Sequence, residues 1–199
     1  VVEPAPARDH SERMLAAMGA TVKCKGGTVT VEPTERLEPL DMTVPGDISA
    51  AAFLIAAALL VPGSTLVIKE VGVNPTRTGF LDIVHAMGGQ VSLRRRITVG
   101  NEPMADVVVQ HSQLRATSVD GDLVPRSIDE LPLVAVLATQ AQGVTEVREA
   151  KELRVKESDR IATVVGELRR MGAAIEEAPD GYVVEGPTPL HGATVESHG

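Results

Sequence analysis

FLDIVHAMGGQV (residues 80–91) carries the pattern that decides the fold. Phe80, Leu81, Val84 and Met87 recur at helical spacing and form one apolar stripe. The stripe ends on Met87-Gly88, and the β-branched Val91 follows three positions after the glycine. A glycine there suits the left-handed backbone that closes a helix, where a Cβ would clash. The same device recurs at Met18-Gly19 before Val22 and at Met171-Gly172 before Ile175. Met14, Leu15 and Met18 make the stripe of the first copy; Ile161, Val164, Val165, Leu168 and Met171 make that of the last. The chain is therefore an internal repeat.

Outward from each Met-Gly stop the period changes to two, and strands are expected in hairpins. Residues 21–25 and 28–32 flank Gly26-Gly27, and residues 174–177 and 182–185 flank Asp180-Gly181. In the middle copy, residues 90–99 pair less obviously with 106–110. Upstream of two copies lies a second kind of helix, at 48–60 and 131–141, apolar nearly all round and so expected to be buried on every side. A Gly-containing turn and a strand follow each, at 65–71 and 145–147. With a leading strand the unit reads βαβαββ. Apolar helices belong inside and sheets with one wet face outside, which predicts central helices ringed by strands.

Val44-Pro45-Gly46 is the expected boundary between two globules. Residues 1–44 then end one body and 45–199 form another, with units at about 45–112 and 113–187 and the start of a third at 188–199.

Composition narrows function. The chain has 199 residues, 43% hydrophobic and 23% charged, which supports a packed core and excludes disorder. Phe53, Phe80 and Tyr182 are its only aromatic residues, too few for a base-stacking platform. A net charge of -8 argues against nucleic-acid and anionic-membrane surfaces. The most apolar run, 48–61, falls short of the ~20 residues that cross a bilayer. A lone Cys24, in a strand pattern, reads as a small filler; it excludes a disulfide framework within the chain and fits a reducing cytoplasm. No leader is visible, and neither Val1 nor Gly199 looks like a natural terminus.

Two polar clusters could carry chemistry. In ELRVKESDR (152–160), a helix would put Lys156 and Arg160 on one face, with Glu157 three residues before Arg160. An anion between the two cations, near free helix N–H groups, would make a binding site. The plainer reading is a solvated helix start in which Glu152 pairs with Lys156 and Ser158 or Asp159 caps. In RSIDELP (126–132), acids before an apolar helix offset its dipole and Pro132 suits the first turn. The functional version aims Asp129 into a cleft from the helix mouth. Arg8 and Arg77 begin the first two amphipathic helices in matching places and read as charges on exposed turns. Asn74 to Gly79 reads as a helix cap and first turn, and Gly46-Asp47 as a cap before Ile48. Phosphate loops of the Walker or dinucleotide type are absent. His10, His85, His111, His191 and His198 are scattered without metal-ligand spacing.

PARDHSERMLAAMGA (6–20), VPGDISAAAFLIAAA (44–58), NPTRTGFLDIVHAMG (74–88), PRSIDELPLVAVLATQAQG (125–143) and ELRVKESDRIATVVGELRRMGA (152–173) together resemble the EPSP synthase family, the 3-phosphoshikimate 1-carboxyvinyltransferases. They follow the family's order over nearly the whole chain, and RVKESDR is the specific part. The resemblance implies the enolpyruvyl transferase fold, an inside-out α/β barrel of βαβαββ repeats, here incomplete. It implies transfer of the enolpyruvyl group of phosphoenolpyruvate to the 5-hydroxyl of shikimate 3-phosphate, with no metal or organic cofactor. By motif, Asp129 matches the proton acceptor, Glu157 the proposed acid, and Lys156 a shikimate 3-phosphate contact that shares in proton transfer. Arg160 matches a phosphoenolpyruvate-binding arginine and Arg8 a shikimate-phosphate contact. Arg77 gains no role and stays structural. The small-molecule substrates are the implied partners, and the full enzyme is expected to be a cytoplasmic monomer.

Departures accompany the match. The family's early lysine-serine segment, Gly-Thr loop and Ser-Gln stretch are missing, and its Asp-His-Arg motif should begin right after Gly199. His198 is therefore not the family's active-site histidine, and Ala7 stands where many relatives have serine. Less than half of the enzyme is expected here, with one cleft wall absent, no turnover alone and weak anion affinity. Two rivals are the sister UDP-N-acetylglucosamine 1-carboxyvinyltransferase, whose corresponding helix lacks KESDR, and a noncatalytic or split-enzyme binding half.

Overall fold

The computed structural model describes residues 1–3 and 7–197. Helix α1 (His10–Ala17) leads into the hairpin β1 (Val22–Lys25) and β2 (Thr28–Val31). Helix α2 (Ile48–Leu60), strand β3 (Thr65–Gly72), helix α3 (Gly79–Ala86) and the hairpin β4 (Gln90–Val99) and β5 (Glu102–Gln110) follow. The last unit holds β6 (Ser118–Val119), the short α4 (Leu123–Arg126), α5 (Leu131–Ala138), β7 (Gly143–Val147), α6 (Arg160–Arg170), β8 (Ala174–Ala178) and β9 (Gly181–Gly186).

The two later units repeat one topology. In each, the strand after the apolar helix pairs antiparallel with the second arm of the hairpin, giving the orders β3-β5-β4 and β7-β9-β8. Strand β6 adds in parallel to β7, and a single parallel bridge from Gly46 to Val71 takes the same place beside β3. The repeat inferred from the Met-Gly stops is thus a βαβαββ unit. Gly19, Gly88 and Gly172 all have positive φ, at 92°, 82° and 93°, as helix-closing residues require.

The core lies between the sheets and the helices. Ile55 and Leu59 of α2, Leu131 and Leu137 of α5, and Ile161 of α6 are fully buried, as are Phe80, Ile83 and Met87. Tyr182 of β9 is also buried, and its hydroxyl donates to the Leu131 carbonyl at 2.5 Å. Burial pushes the Tyr182 pKa up, which keeps the proton that this bond needs.

Several expectations need correction. Helix α2 is not covered on every side: it packs on β3, β5 and α5, and Phe53 is 67% exposed and Leu54 is also open. As expected of an incomplete barrel, the described strands form three separate sheets and close none. Met14 on α1 is exposed, since α1 buries no residue. Cys24 is exposed on β1 and fills no core. The middle hairpin pairs along its whole length, from Gln90 opposite Gln110 to Val99 opposite Glu102, with a register shift between Arg94 and Ile97. Asn74 caps no helix: its Oδ1 accepts from the Thr76 backbone N–H and hydroxyl, and α3 starts only at Gly79. Asp47 caps α2 as expected, accepting from the Ser49 and Ala50 amides. No helix among the described residues is long and apolar enough to cross a membrane.

Candidate active site

Residues 152–160 do not form one helix. A single 3₁₀ turn (Lys151–Val155) ends at Lys156, whose extended backbone breaks the period before α6 begins at Arg160. The break has local causes. Asp159 turns its carboxylate onto the Ala162 amide at 3.0 Å and caps α6. Arg154 then holds Asp159 at 2.9 Å and reaches Glu177, Ala178 and Pro179 around the β8–β9 turn. Lys156 keeps its pair with Glu152 at 2.8 Å, and Arg160 heads the new helix. Their convergence comes from this kink rather than from a shared helical face.

Asp129 is the point on which they converge. It sits just before α5, and each carboxylate oxygen faces two cations. Oδ2 accepts from Arg8 at 2.5 Å and lies 3.4 Å from Arg77 Nη1. Oδ1 lies 3.5 Å from Arg160 Nη1 and 4.0 Å from Lys156 Nζ. Four elements supply these groups: the segment before α1, the turn before α3, the 3₁₀ turn and the head of α6. The first turns of α2 and α5 meet at the same place, where the Ser49 hydroxyl donates to Glu130. The N-terminal ends of α2, α5 and α6 thus meet near one cluster, and the partial positive charge of each adds to that of the cations. Beside it opens a cavity of about 260 Å³ lined by Ser49, Phe53, Asp129, Glu130, Leu133 and Val164.

The carboxylates differ in state. Partial burial opposes ionisation of Asp129, but the hydrogen bond from Arg8 and the charges of Arg8, Lys156 and Arg77 outweigh it and lower its pKa. Glu130 is only 3% exposed, and that burial raises its pKa despite the Ser49 hydrogen bond and the Arg77 charge. Glu157 is held low by its own backbone N–H and by Arg160, whose Nη2 donates to it at 2.6 Å.

Asp129, Lys156, Arg160 and Arg8 therefore stand together. Glu157 joins them only through Arg160, and its side chain is 80% exposed. Its own backbone N–H and Arg160 favour its ionised form. The structural reading of Arg77 as a charge on an exposed turn is corrected: it is 12% exposed and faces Asp129, Asp47, Glu130 and Ser49. Sequence reading missed Ser49 and Glu130 as well, although the matching positions of Arg8 and Arg77 in successive units were a signal for Arg77. Among the described residues, no group of three or more His, Cys, Asp and Glu is placed to hold a metal ion. His198 lies outside the described residues, as does Pro6 at the start of the first motif.

The chain matches the family profile described as EPSP synthase (3-phosphoshikimate 1-carboxyvinyltransferase) over residues 1–199. It is 52% identical to the 3-phosphoshikimate 1-carboxyvinyltransferase of Brevibacillus brevis, covering 100% of this chain and 47% of that one. To the protein of the same name from Desulforudis audaxviator it is 53% identical, covering 46% of it. The solved EPSP synthase from Acinetobacter baumannii matches with a TM-score of 0.95 and 38% identity, over 100% of this chain and 46% of that one. The enolpyruvyl transferase NikO from Streptomyces tendae shares the fold, at a TM-score of 0.65 and 23% identity over 89% of this chain. The chain spans about half the length of the curated relatives it matches.

Proposed function

This chain belongs to the EPSP synthase family, and from that premise we propose that the Asp129 cluster is one wall of a site that transfers the enolpyruvyl group of phosphoenolpyruvate to the 5-hydroxyl of shikimate 3-phosphate. The observation that carries the reading is the convergence of Arg8, Arg77, Lys156 and Arg160 on a single carboxylate. Two phosphates and two carboxylates must be held together in this reaction, and cations at helix N-termini suit that load. The boundary at 44/45 then separates the tail of one globule from the wall that holds Asp129, Lys156 and Arg160. The sister activity on UDP-N-acetylglucosamine gains nothing from the comparisons.

The chemistry is addition followed by elimination, with phosphate as the leaving group. Arg8 contacts the phosphate of shikimate 3-phosphate, and Arg160 grips phosphoenolpyruvate. A substrate anion that draws Arg8 off Asp129 removes the hydrogen bond that lowers its pKa, so the carboxylate becomes a better base as the hydroxyl arrives. The same logic applies to Glu157. Once phosphoenolpyruvate occupies Arg160, Glu157 loses one of the groups that hold its pKa down and can take up the proton it delivers to the methylene carbon. Lys156 spans both substrates and shares the proton transfer. None of these steps calls for a metal or organic cofactor. The partners are small anions rather than nucleic acid or a membrane, and the setting is the cytoplasm, with the full enzyme a monomer.

Titrating shikimate 3-phosphate into the purified chain, followed by amide NMR, tests the reading. Shifts clustered around Arg8, Asp129, Lys156 and Arg160, lost in Arg8→Ala, are expected at millimolar ligand. No turnover of the two substrates is expected from the chain alone. Phosphate release at the rate of a full-length relative, or saturating shifts elsewhere on the molecule, would contradict it.

A further inference from the structure

We infer that Arg77 is a positioning residue for Asp129, held in its aim by Ser49 and Glu130. The inference deepens the proposed function and rests on Asp129 acting there as proton acceptor.

The four cations around Asp129 are not equivalent. Arg8, Lys156 and Arg160 have side chains 44%, 24% and 29% exposed, whereas that of Arg77 is 12% exposed. Arg77 also has a second obligation. Its Nη2 donates to Ser49 Oγ at 2.5 Å, while Nη1 stands 3.4 Å from Asp129 Oδ2. The Ser49 hydroxyl has one proton, and it gives that proton to Glu130 Oε1. Its lone pairs are then left to face Arg77. A guanidinium is planar, so fixing one amino group fixes the direction of the other. Glu130 is buried against the first turn of α2 and follows Asp129 directly in the chain, which closes the loop of contacts.

The charged groups around this loop are Arg8 from the segment before α1, Asp47 at the head of α2, Lys156 and Arg160 from the kink before α6, and Glu157 through Arg160. An incoming anion can draw off the three more exposed cations. Arg77, committed to Ser49, stays. Asp129 then keeps its orientation and its negative charge at the moment when its other partners turn to substrate.

Side-chain carboxyl ¹³C NMR of the intact 199-residue chain reads Asp129 directly, without substrates or turnover. Arg77→Gln is expected to raise the Asp129 titration midpoint by about one unit, through loss of a charge and a contact. Ser49→Ala is expected to raise it by about half a unit although no charge changes, because the guanidinium loses its aim. Alanine is the best helix former, so α2 tolerates that change. Arg77→Lys should fail to restore the midpoint, since an ammonium on a flexible stem cannot span Ser49 and Asp129 together. A wild-type midpoint in either Ser49→Ala or Arg77→Lys would overturn the inference and leave Arg77 a point charge. An unmoved midpoint in Arg77→Gln would overturn it too. The proposed function fails by a different result, absence of shikimate 3-phosphate binding, which this titration does not use.

Discussion

Asp129 and Glu130 are neighbours in the chain and opposites in electrostatics. Asp129 has a lowered pKa, so its pairs favour folding above the ordinary carboxylate range, and that contribution is lost as pH falls through its folded value. Glu130 has a raised pKa, so the unfolded chain gives up this proton first and stability is lost as pH rises through the folded value. Glu130→Gln keeps an acceptor for Ser49 and removes the buried charge. It is expected to stabilise the chain near neutral pH and to have little effect in acid below the carboxylate range, measured by urea unfolding at both. A loss of stability near neutral pH would mean that the Arg77 charge, rather than burial, governs this group. At the residue scale the site is thus a cationic nest around one ionised acid, with a second acid beneath it that burial keeps from ionising easily.

Among the elements, the kink at 156–159 does most to make the cluster. Were α6 to start one turn earlier, Lys156 and Arg160 would follow the helix surface and the 3₁₀ turn would be lost. Asp159→Ala removes both the cap on α6 and the partner of Arg154. It is expected to cost about 1–2 kcal/mol in urea unfolding, as cap losses do. It should also broaden or shift the resonances of Lys156 and Arg160, whereas a purely local cap effect would leave them in place. The helix stops are the other elements on which the fold depends. Gly88→Ala meets no atom closer than 3.9 Å, so its penalty is the backbone strain at φ 82°. An expected loss of about 1 kcal/mol in urea unfolding would show that the repeat's glycine is kept for conformation and not for space. The same Met-Gly signal was readable from sequence in all three copies because helix closure is a short-range event.

Among the described residues, the side of the molecule formed by α2 and α5 leaves apolar side chains uncovered. Phe53 and Leu54 of α2 are open, and Leu133 and Val136 of α5 are only partly covered. Exposed apolar surface of this kind promotes association. Phe53→Gln is expected to change unfolding stability by no more than about 0.5 kcal/mol while lowering concentration-dependent self-association in sedimentation. A large stability loss would show that Phe53 is packed in solution. The expectation that α2 is buried all round failed for a physical reason: apolar periodicity reports that a face seeks cover, and the cover must come from residues elsewhere.

Local order was legible in the sequence. The three helix stops, the two apolar helices, the hairpins and the βαβαββ unit follow from spacing of three to four or of two, and from glycines where the backbone must turn left-handed. Family membership was legible in the RVKESDR run and its companions, and the profile match over residues 1–199 shows it. What only the tertiary structure decided is which charges meet. Arg8 and Asp129 lie 121 positions apart, and Arg77 reaches Ser49 and Asp129 across separations of 28 and 52. Periodicity acts within a turn or two of backbone, whereas an ion pair depends on distance in space, and packing alone sets that distance.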